Sequence, residues 1–245
     1  MGVGLDVAGS LAWRPLTASV AGAGHRARGI GCEDASCVDV LDDGTLLVAV
    51  ADGAGSAPRA AEGSSRAVAA AMEGLRAAVD LDAVLSGARL ALEPVVAGER
   101  LGDLATTLLV VRAGQSLIET AQVGDGAVVL RRDGELEVLA ADTKGEYLNE
   151  TCFLTSDGWR ASMRIESAPA EGVDGIAAMT DGLQLVAFDL SSGRPHAPFF
   201  SPFFSFAAGD GDVGQLAAFL GSDRVGERTD DDVTLAIASL VAPSA

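Results

Sequence analysis

Three Asp-Gly pairs, Asp43-Gly44, Asp133-Gly134 and Asp157-Gly158, divide β-like segments of this chain. Both residues of such a pair tolerate positive φ, so Asp-Gly between alternating runs is a strong short-range hairpin signal. The first pair predicts strands at Ser36 to Val40 and Thr45 to Ala51, the second at Ala127 to Arg131 and Glu135 to Leu139; the third is weaker. Strands joined this way lie antiparallel, which disfavours a βαβ sheet.

Apolar residues then recur at helical spacing. Ala60 to Val79 carries Ala61, Ser65, Val68, Met72, Leu75 and Val79 at intervals of three and four, and Leu81 to Ala97 repeats the pattern, with Asp80 or Asp82 suited to its N-cap. Further strands are expected at Ala105 to Arg112, Ser116 to Val123, Ile176 to Thr180 and Val233 to Leu240, with a short helix after Asp181 and another from Asp212 to Leu220. The sum is an α/β layered sandwich in which helices are inserted in pairs between antiparallel strands. Ala140 to Pro169 is the least regular long stretch, and loops of that length usually carry function. Phe199, Phe200, Phe203, Phe204 and Phe206 read as a helix or loop docked on the core, the alternative being a binding patch.

Composition excludes several functions. Apolar residues make up 49% of the 245, so a large core is available and disorder is not expected. A net charge of −18 repels nucleic acid and anionic lipid. Cys32, Cys37 and Cys152 cannot all pair and have no close C-x-x-C spacing, which suits reduced thiols in a cytoplasm. No apolar run is long enough for a membrane span, and no signal segment opens the chain, so a soluble cytoplasmic protein without membrane or nucleic-acid partners is expected. With only His25 and His196 beside the carboxylates, a bound metal would be held by oxygen, which selects Mg²⁺, Mn²⁺ or Ca²⁺.

The carboxylates have a pattern of their own. Asp52 ends the buried run Thr45 to Ala51, Asp125 follows one strand and Asp181 another; Asp230-Asp231-Asp232 precede the last strand, and Glu33-Asp34 the first. One such aspartate is a turn residue. Several at neighbouring strand ends repel one another unless cations neutralise them.

The motifs G-x-G-H (Gly22 to His25), G-x-x-C-E-D, A-D-G-A-G-S (Ala51 to Ser56), A-T-T (Ala105 to Thr107), V-G-D-G, K-G-E-Y-x-N-E-T (Lys144 to Thr151), T-D-G-L and T-D-D-D-x-T, in that order, resemble the metal-dependent protein phosphatases of type 2C, in their compact bacterial branch, from about Val20 to Leu240. The resemblance implies a four-layer α-β-β-α sandwich, two antiparallel sheets flanked by paired helices, as one phosphatase domain over 1–245 with a flap-like insertion at about 140–169. It implies two Mg²⁺ or Mn²⁺ ions, with Asp52 bridging them, the Gly53 carbonyl on one, and Asp181 and Asp231 completing the other site. Glu33 and Asp34 would hold waters around the metals or support the ligands, and Asp125 would serve a third ion. A metal-bridged hydroxide would then hydrolyse phosphoserine or phosphothreonine in phosphorylated proteins, the partners being a serine/threonine kinase and its targets.

Three positions depart from that pattern. Gly29 stands where the family has a phosphate-binding arginine, leaving Arg26, Arg28 or His25 to replace it; Ala54 stands where many eukaryotic members have a histidine; Leu185 stands where a second aspartate often serves the third metal. His25 is the available proton donor to a leaving alkoxide, and a lone histidine in a loop is otherwise a structural hydrogen-bonder. A catalytically weak or silent phosphatase-like module that binds a phosphoprotein or regulatory partner is the alternative reading. A dinucleotide fold is disfavoured because Pro58 occupies the place of the third glycine after Asp52-Gly53-Ala54-Gly55.

Overall fold

The computed structural model describes residues 11–93, 98, 100–141, 151–189 and 191–242. Ten strands form two five-stranded antiparallel sheets. One sheet has the order β1 (Ala12–Val20), β10 (Val233–Val241), β9 (Val173–Met179), β6 (Ala127–Arg132), β7 (Glu135–Ala140). The other has the order β2 (Ala35–Val40), β3 (Leu46–Ala51), β4 (Leu108–Ala113), β5 (Leu117–Val123), β8 (Arg164–Pro169). The hairpins at Asp43-Gly44 and Asp133-Gly134 form as expected, with Asp133 at φ 51° and Gly134 at φ 84°.

The sheets face each other, and β3 explains why its sequence is a continuous apolar run. Leu46, Val48 and Val50 meet Val128, Ile176 and Ala178 of the opposite sheet. Leu47, Ala49 and Ala51 point the other way, against Val68, Met72 and Leu75 of α2 (Ala60–Arg76) and Leu85 of α3 (Leu81–Leu92). A strand buried on both faces has no polar side to display. Behind the first sheet, Phe200 and Phe204 of α6 (Ala197–Ala208) and Leu216 of α7 (Val213–Leu220) cover Val129, Ala177 and Met179. The layers are therefore α-β-β-α, and the phenylalanine cluster is the helix covering one of them. Among the described residues no helix is long and apolar enough to cross a membrane.

Several expectations need correction. β1 and α1 (Ala23–Arg28) were not expected: Pro15 and Arg14 interrupt the strand pattern, and Gly22 and Gly29 bound a helix only six residues long. Asp80 caps α3 by accepting from the Ala83 N–H at 2.8 Å, but α2 stops at Arg76 and α3 at Leu92. Residues 94–97, assigned to the second helix from sequence, lie outside the described residues. Asp157-Gly158 leads into the one-turn α4 (Trp159–Ser162) rather than a hairpin, and the irregular stretch from Ala140 ends in β8, whose residues are mostly exposed and so lack alternation. Lys144 and the rest of 142–150 lie outside the described residues.

Register brings the carboxylates together. Met179 at the end of β9 pairs with both Ala127 and Leu235, so the end of β9 and the beginnings of β6 and β10 lie at one edge. In the other sheet Ala35 pairs with Ala51, and Leu108 with Val123. The residues just beyond these ends are Asp34, Asp52, Asp125, Asp181 and Asp231-Asp232.

Gly63 shows how tightly the edge is held. A Cβ there would lie 2.3 Å from the Leu104 carbonyl oxygen, in the 3₁₀ turn Leu101–Leu104 that leads to Thr106 and Thr107. Gly to Ala inside a helix ordinarily stabilises by up to about 1 kcal/mol, but overpacking against backbone costs about 1–3 kcal/mol. The clash should win, so Gly63→Ala is expected to lower the melting temperature by roughly 2–8 °C, at about 2–4 °C per kcal/mol for a chain of this size. A melt unchanged or raised would show that the helix can shift without cost.

Candidate metal centre

Asp52, Asp125 and Asp181 each offer a carboxylate oxygen, and the three oxygens lie within 4.8 Å of one another. Backbone and hydroxyl contacts fix each position. The Asp52 N–H donates to Thr107 Oγ1 at 2.9 Å, and its carbonyl accepts from the Thr107 N–H at 2.8 Å and from Thr106 Oγ1 at 2.9 Å. Gly53 bridges to Thr106 next door. Asp125 accepts from Thr151 Oγ1 at 2.7 Å, while its carbonyl accepts from Gln184 Nε2 at 2.8 Å. Gln184 begins α5 (Gln184–Ala187), directly after the 3₁₀ turn Asp181–Leu183.

Asp34 is buried, and its Oδ2 accepts from Thr180 Oγ1 at 2.9 Å and Thr234 Oγ1 at 2.7 Å. Its Oδ1, Asp181 Oδ1 and Glu33 Oε2 are buried with no donor. Leaving a buried carboxylate oxygen without a partner costs several kcal/mol. One of them within a tight acidic cluster and two beside it make a donor set of hard oxygens, which fits a divalent cation such as Mg²⁺ or Mn²⁺.

Electrostatics give the same account. Burial is the largest influence on the Asp52 carboxyl, followed by the charges of Asp34, Asp181 and Asp231, and together they push its pKa up to about 10. Burial and the charges of Asp125 and Asp231 raise Asp181 to about 6, against hydrogen bonds that lower it. Burial raises Asp34 to about 7 despite its two threonine donors.

The remaining site residues fall into two groups. Asp231 is exposed and contributes charge to Asp34, Asp52 and Asp181. Asp232 is buried and acts instead as a clamp. It accepts from the N–H groups of Gly22 at 2.7 Å and Glu33 at 2.6 Å, and its Oδ1 lies 2.8 Å from His25 Nδ1. His25 is on α1, not in a loop, and is 8% exposed, with Nε2 3.6 Å from Glu33 Oε2. Gly29 caps α1 at φ 69°, a left-handed turn that an arginine would adopt only at a cost. Arg28 donates through Nε to the Gly24 carbonyl at 3.1 Å, and its charge draws the Glu33 carboxyl down against the burial that raises it. Arg26 donates to the Ala21 carbonyl and points toward Gly226. Of the two arginines, Arg28 is thus the one whose charge reaches the acidic edge.

Sequence reasoning did not find the roles of Asp232, Gln184 or the four threonines. Thr106, Thr107, Thr180 and Thr234 lie inside the short motifs, but threonine reads equally well as a strand former.

A family model described as protein phosphatase 2C matches residues 21–221. Serine/threonine-protein phosphatase 3 of Escherichia coli (strain K12) is 35% identical over 251 residues, covering 93% of this chain and 98% of its own. Among solved structures, serine/threonine phosphatase Stp1 from Staphylococcus aureus superposes with a TM-score of 0.65 at 13% identity, covering 98% of each chain. The catalytic domain of serine threonine protein phosphatase PstP, solved with two manganese ions, does so with a TM-score of 0.64 at 24% identity, covering 95% of this chain and all of that one. These structures share the two-sheet fold.

The raised carboxylates predict how stability depends on pH. A carboxyl whose folded pKa exceeds its unfolded value stabilises fully below the unfolded value, and that contribution is lost as pH rises through the folded one. For Asp181, Asp34 and Asp52 the loss runs from about pH 4 upward, past neutrality. In EDTA the melting temperature should fall between pH 5.5 and pH 8. Millimolar Mg²⁺ should restore more at pH 8 than at pH 5.5, because protons no longer occupy the cluster. Equal metal stabilisation at both pH values would contradict this account.

Proposed function

The chain belongs to the protein phosphatase 2C family and is a protein serine/threonine phosphatase, and on that premise we propose that the acidic edge is its catalytic centre and holds two divalent ions. One observation carries the reading: Asp52, Asp125 and Asp181 converge within 4.8 Å while buried carboxylate oxygens around them lack donors. Asp52 and the Gly53 carbonyl would hold both ions, with Asp181 and Asp231 completing the set; Asp125 would serve a further ion, and Glu33 and Asp34 would support the ligands. Divalent ions in such a set activate water at neutral pH and offset charge on the phosphoryl oxygens. Mg²⁺ and Mn²⁺ suit the oxygen donors best, and Zn²⁺ least.

The chain's own groups do the rest. Thr106 and Thr107 fix the Asp52 backbone, so its carboxylate approaches without an entropic search. Arg28 supplies positive charge beside Glu33, where an incoming phosphate would meet an otherwise acidic edge. His25, whose Nδ1 lies 2.8 Å from Asp232 Oδ1, would give its Nε2 proton to the departing seryl or threonyl oxygen. The substrates are phosphorylated proteins, which a serine/threonine kinase would supply. The whole chain acts as one phosphatase unit, with Thr151 of the stretch 140–169 donating to Asp125, and three unpaired cysteines suit a cytoplasmic setting.

Two substitutions test this. Asp52→Asn keeps the shape and removes a charge from a repelling cluster. It should lower turnover of p-nitrophenyl phosphate by more than about 100-fold, beyond what losing an outer partner of a metal ligand costs, while raising the melting temperature in EDTA. Retained turnover would remove Asp52 from the chemistry, and a lower melting temperature would remove it from the repulsion.

His25→Ala separates proton donation from structure. A serine alkoxide needs a proton to leave and p-nitrophenolate does not. kcat on a phosphoserine peptide should therefore fall by about tenfold or more, the lower range of general-acid contributions, with p-nitrophenyl phosphate changing little. Equal losses on both would make His25 a support for Glu33 and Asp232.

A further inference from the structure

Behind the first sheet, away from the acidic edge, helices α5, α6, α7 and α8 (Asp223–Gly226) border a half-open cavity of about 840 Å³. That volume lies in the roughly 300–1,000 Å³ range of small-molecule sites. Its floor is aromatic: Phe199, Phe203 and Phe206 from α6, with Leu216 and Phe219 from α7. The rings hold one another in place, Phe199 and Phe203 with centroids 5.0 Å apart, and Phe203 and Phe219 edge to face at 4.9 Å. An apolar space walled by interlocked rings is formed before any ligand arrives.

The rim is charged in an uncommon way for this chain. Arginines such as Arg66, Arg76, Arg112, Arg131 and Arg160 sit in ion pairs with neighbouring carboxylates. Arg224 and Arg228, both at the rim, have no ion pair or side-chain hydrogen bond among the described residues. The rim does contain two carboxylates. Asp189 is committed to its own turn, where Oδ1 accepts from the N–H and hydroxyl groups of Ser191 and Ser192. Glu227 pairs with neither arginine. His196 adds a neutral donor or acceptor.

We propose that this cavity binds a small amphipathic anion, with an apolar body against the phenylalanines and a carboxylate or phosphate head on Arg224 and Arg228. Guanidinium groups take such heads through paired hydrogen bonds, and the apolar body gives up its water to the ring floor. The position suits regulation. Leu185 and Val186 of the wall stand four and five residues after Asp181, and Arg228 stands three before Asp231. A ligand there presses on both segments that carry these aspartates. Binding itself does not depend on the catalytic reading.

The test uses the full-length protein with saturating Mg²⁺ and decanoate as the probe, followed by calorimetry and by methyl NMR at Leu185, Val186, Leu216 and Val225. Saturable binding is expected, with shifts concentrated at those methyls and decan-1-ol binding more weakly than decanoate. Exchanging both rim charges in Arg224→Glu/Arg228→Glu should weaken decanoate about tenfold or more, as loss of charge-assisted hydrogen bonds does. Both residues are exposed, so the fold should survive. Gln215→Trp, which narrows the cavity from its rim, is a second variant and should weaken decanoate and decan-1-ol alike. No saturation by millimolar decanoate, equal binding of the alcohol, or shifts confined to residues near Asp52 and Asp181 would overturn the proposal.

Discussion

Mutual repulsion among carboxylates at the joint end of two sheets is the constraint around which the rest of this molecule is arranged. Asp34, Asp52, Asp125 and Asp181 meet there because antiparallel register aligns the strand ends, and burial makes their charges costly. A chain could relax that cost by letting the strand ends fray. Here hydroxyl groups prevent it: Thr106 and Thr107 hold the Asp52 backbone, and Thr180 and Thr234 hold Asp34 from both neighbours. The unfavourable arrangement is over-determined, which is how functional sites keep strain.

The scaffold that withstands this is built from small residues. In β3 the side facing the helices carries Leu47, Ala49 and Ala51, so that α2 approaches closely near the site, and Ser64 of α2 donates to the Glu33 carbonyl. Gly63 lets the same helix meet the backbone at Leu104. Tight packing at the acidic end and bulkier phenylalanine packing behind the other sheet divide the molecule into a rigid wall and a wall with room in it.

Much of this was legible in the residues. The hairpins, the doubly buried β3 and the paired helices α2 and α3 follow from turn chemistry and periodicity. β8 was not legible because an edge strand with mostly exposed residues has no alternation to read. α1 was missed because a six-residue helix between glycines has too few turns to show a period. Among Asp230, Asp231 and Asp232, the family resemblance pointed to Asp231 for the metal side, but the sequence could not assign Asp232 to the clamp beside His25, since that depends on which side of β10 faces inward. Only a long-range contact separates them.

The chain's charge at first argues against its substrate, since a protein of net charge −18 should repel a phosphoprotein. The Debye length of about 8 Å at physiological salt resolves the conflict, because carboxylates on the far faces are screened from a phosphate at the acidic edge. What the phosphate meets is local. The carboxylates there raise one another's pKa values, and divalent ions bound among them would offset much of that negative charge. Arg28 adds positive charge near Glu33, but it lies at the end of α1, outside the cluster, and Gly29 leaves no cation at the position beyond it. If the acidic edge holds the ions proposed above, phosphate recognition would lean on them, so affinity for phosphate and affinity for metal should rise and fall together.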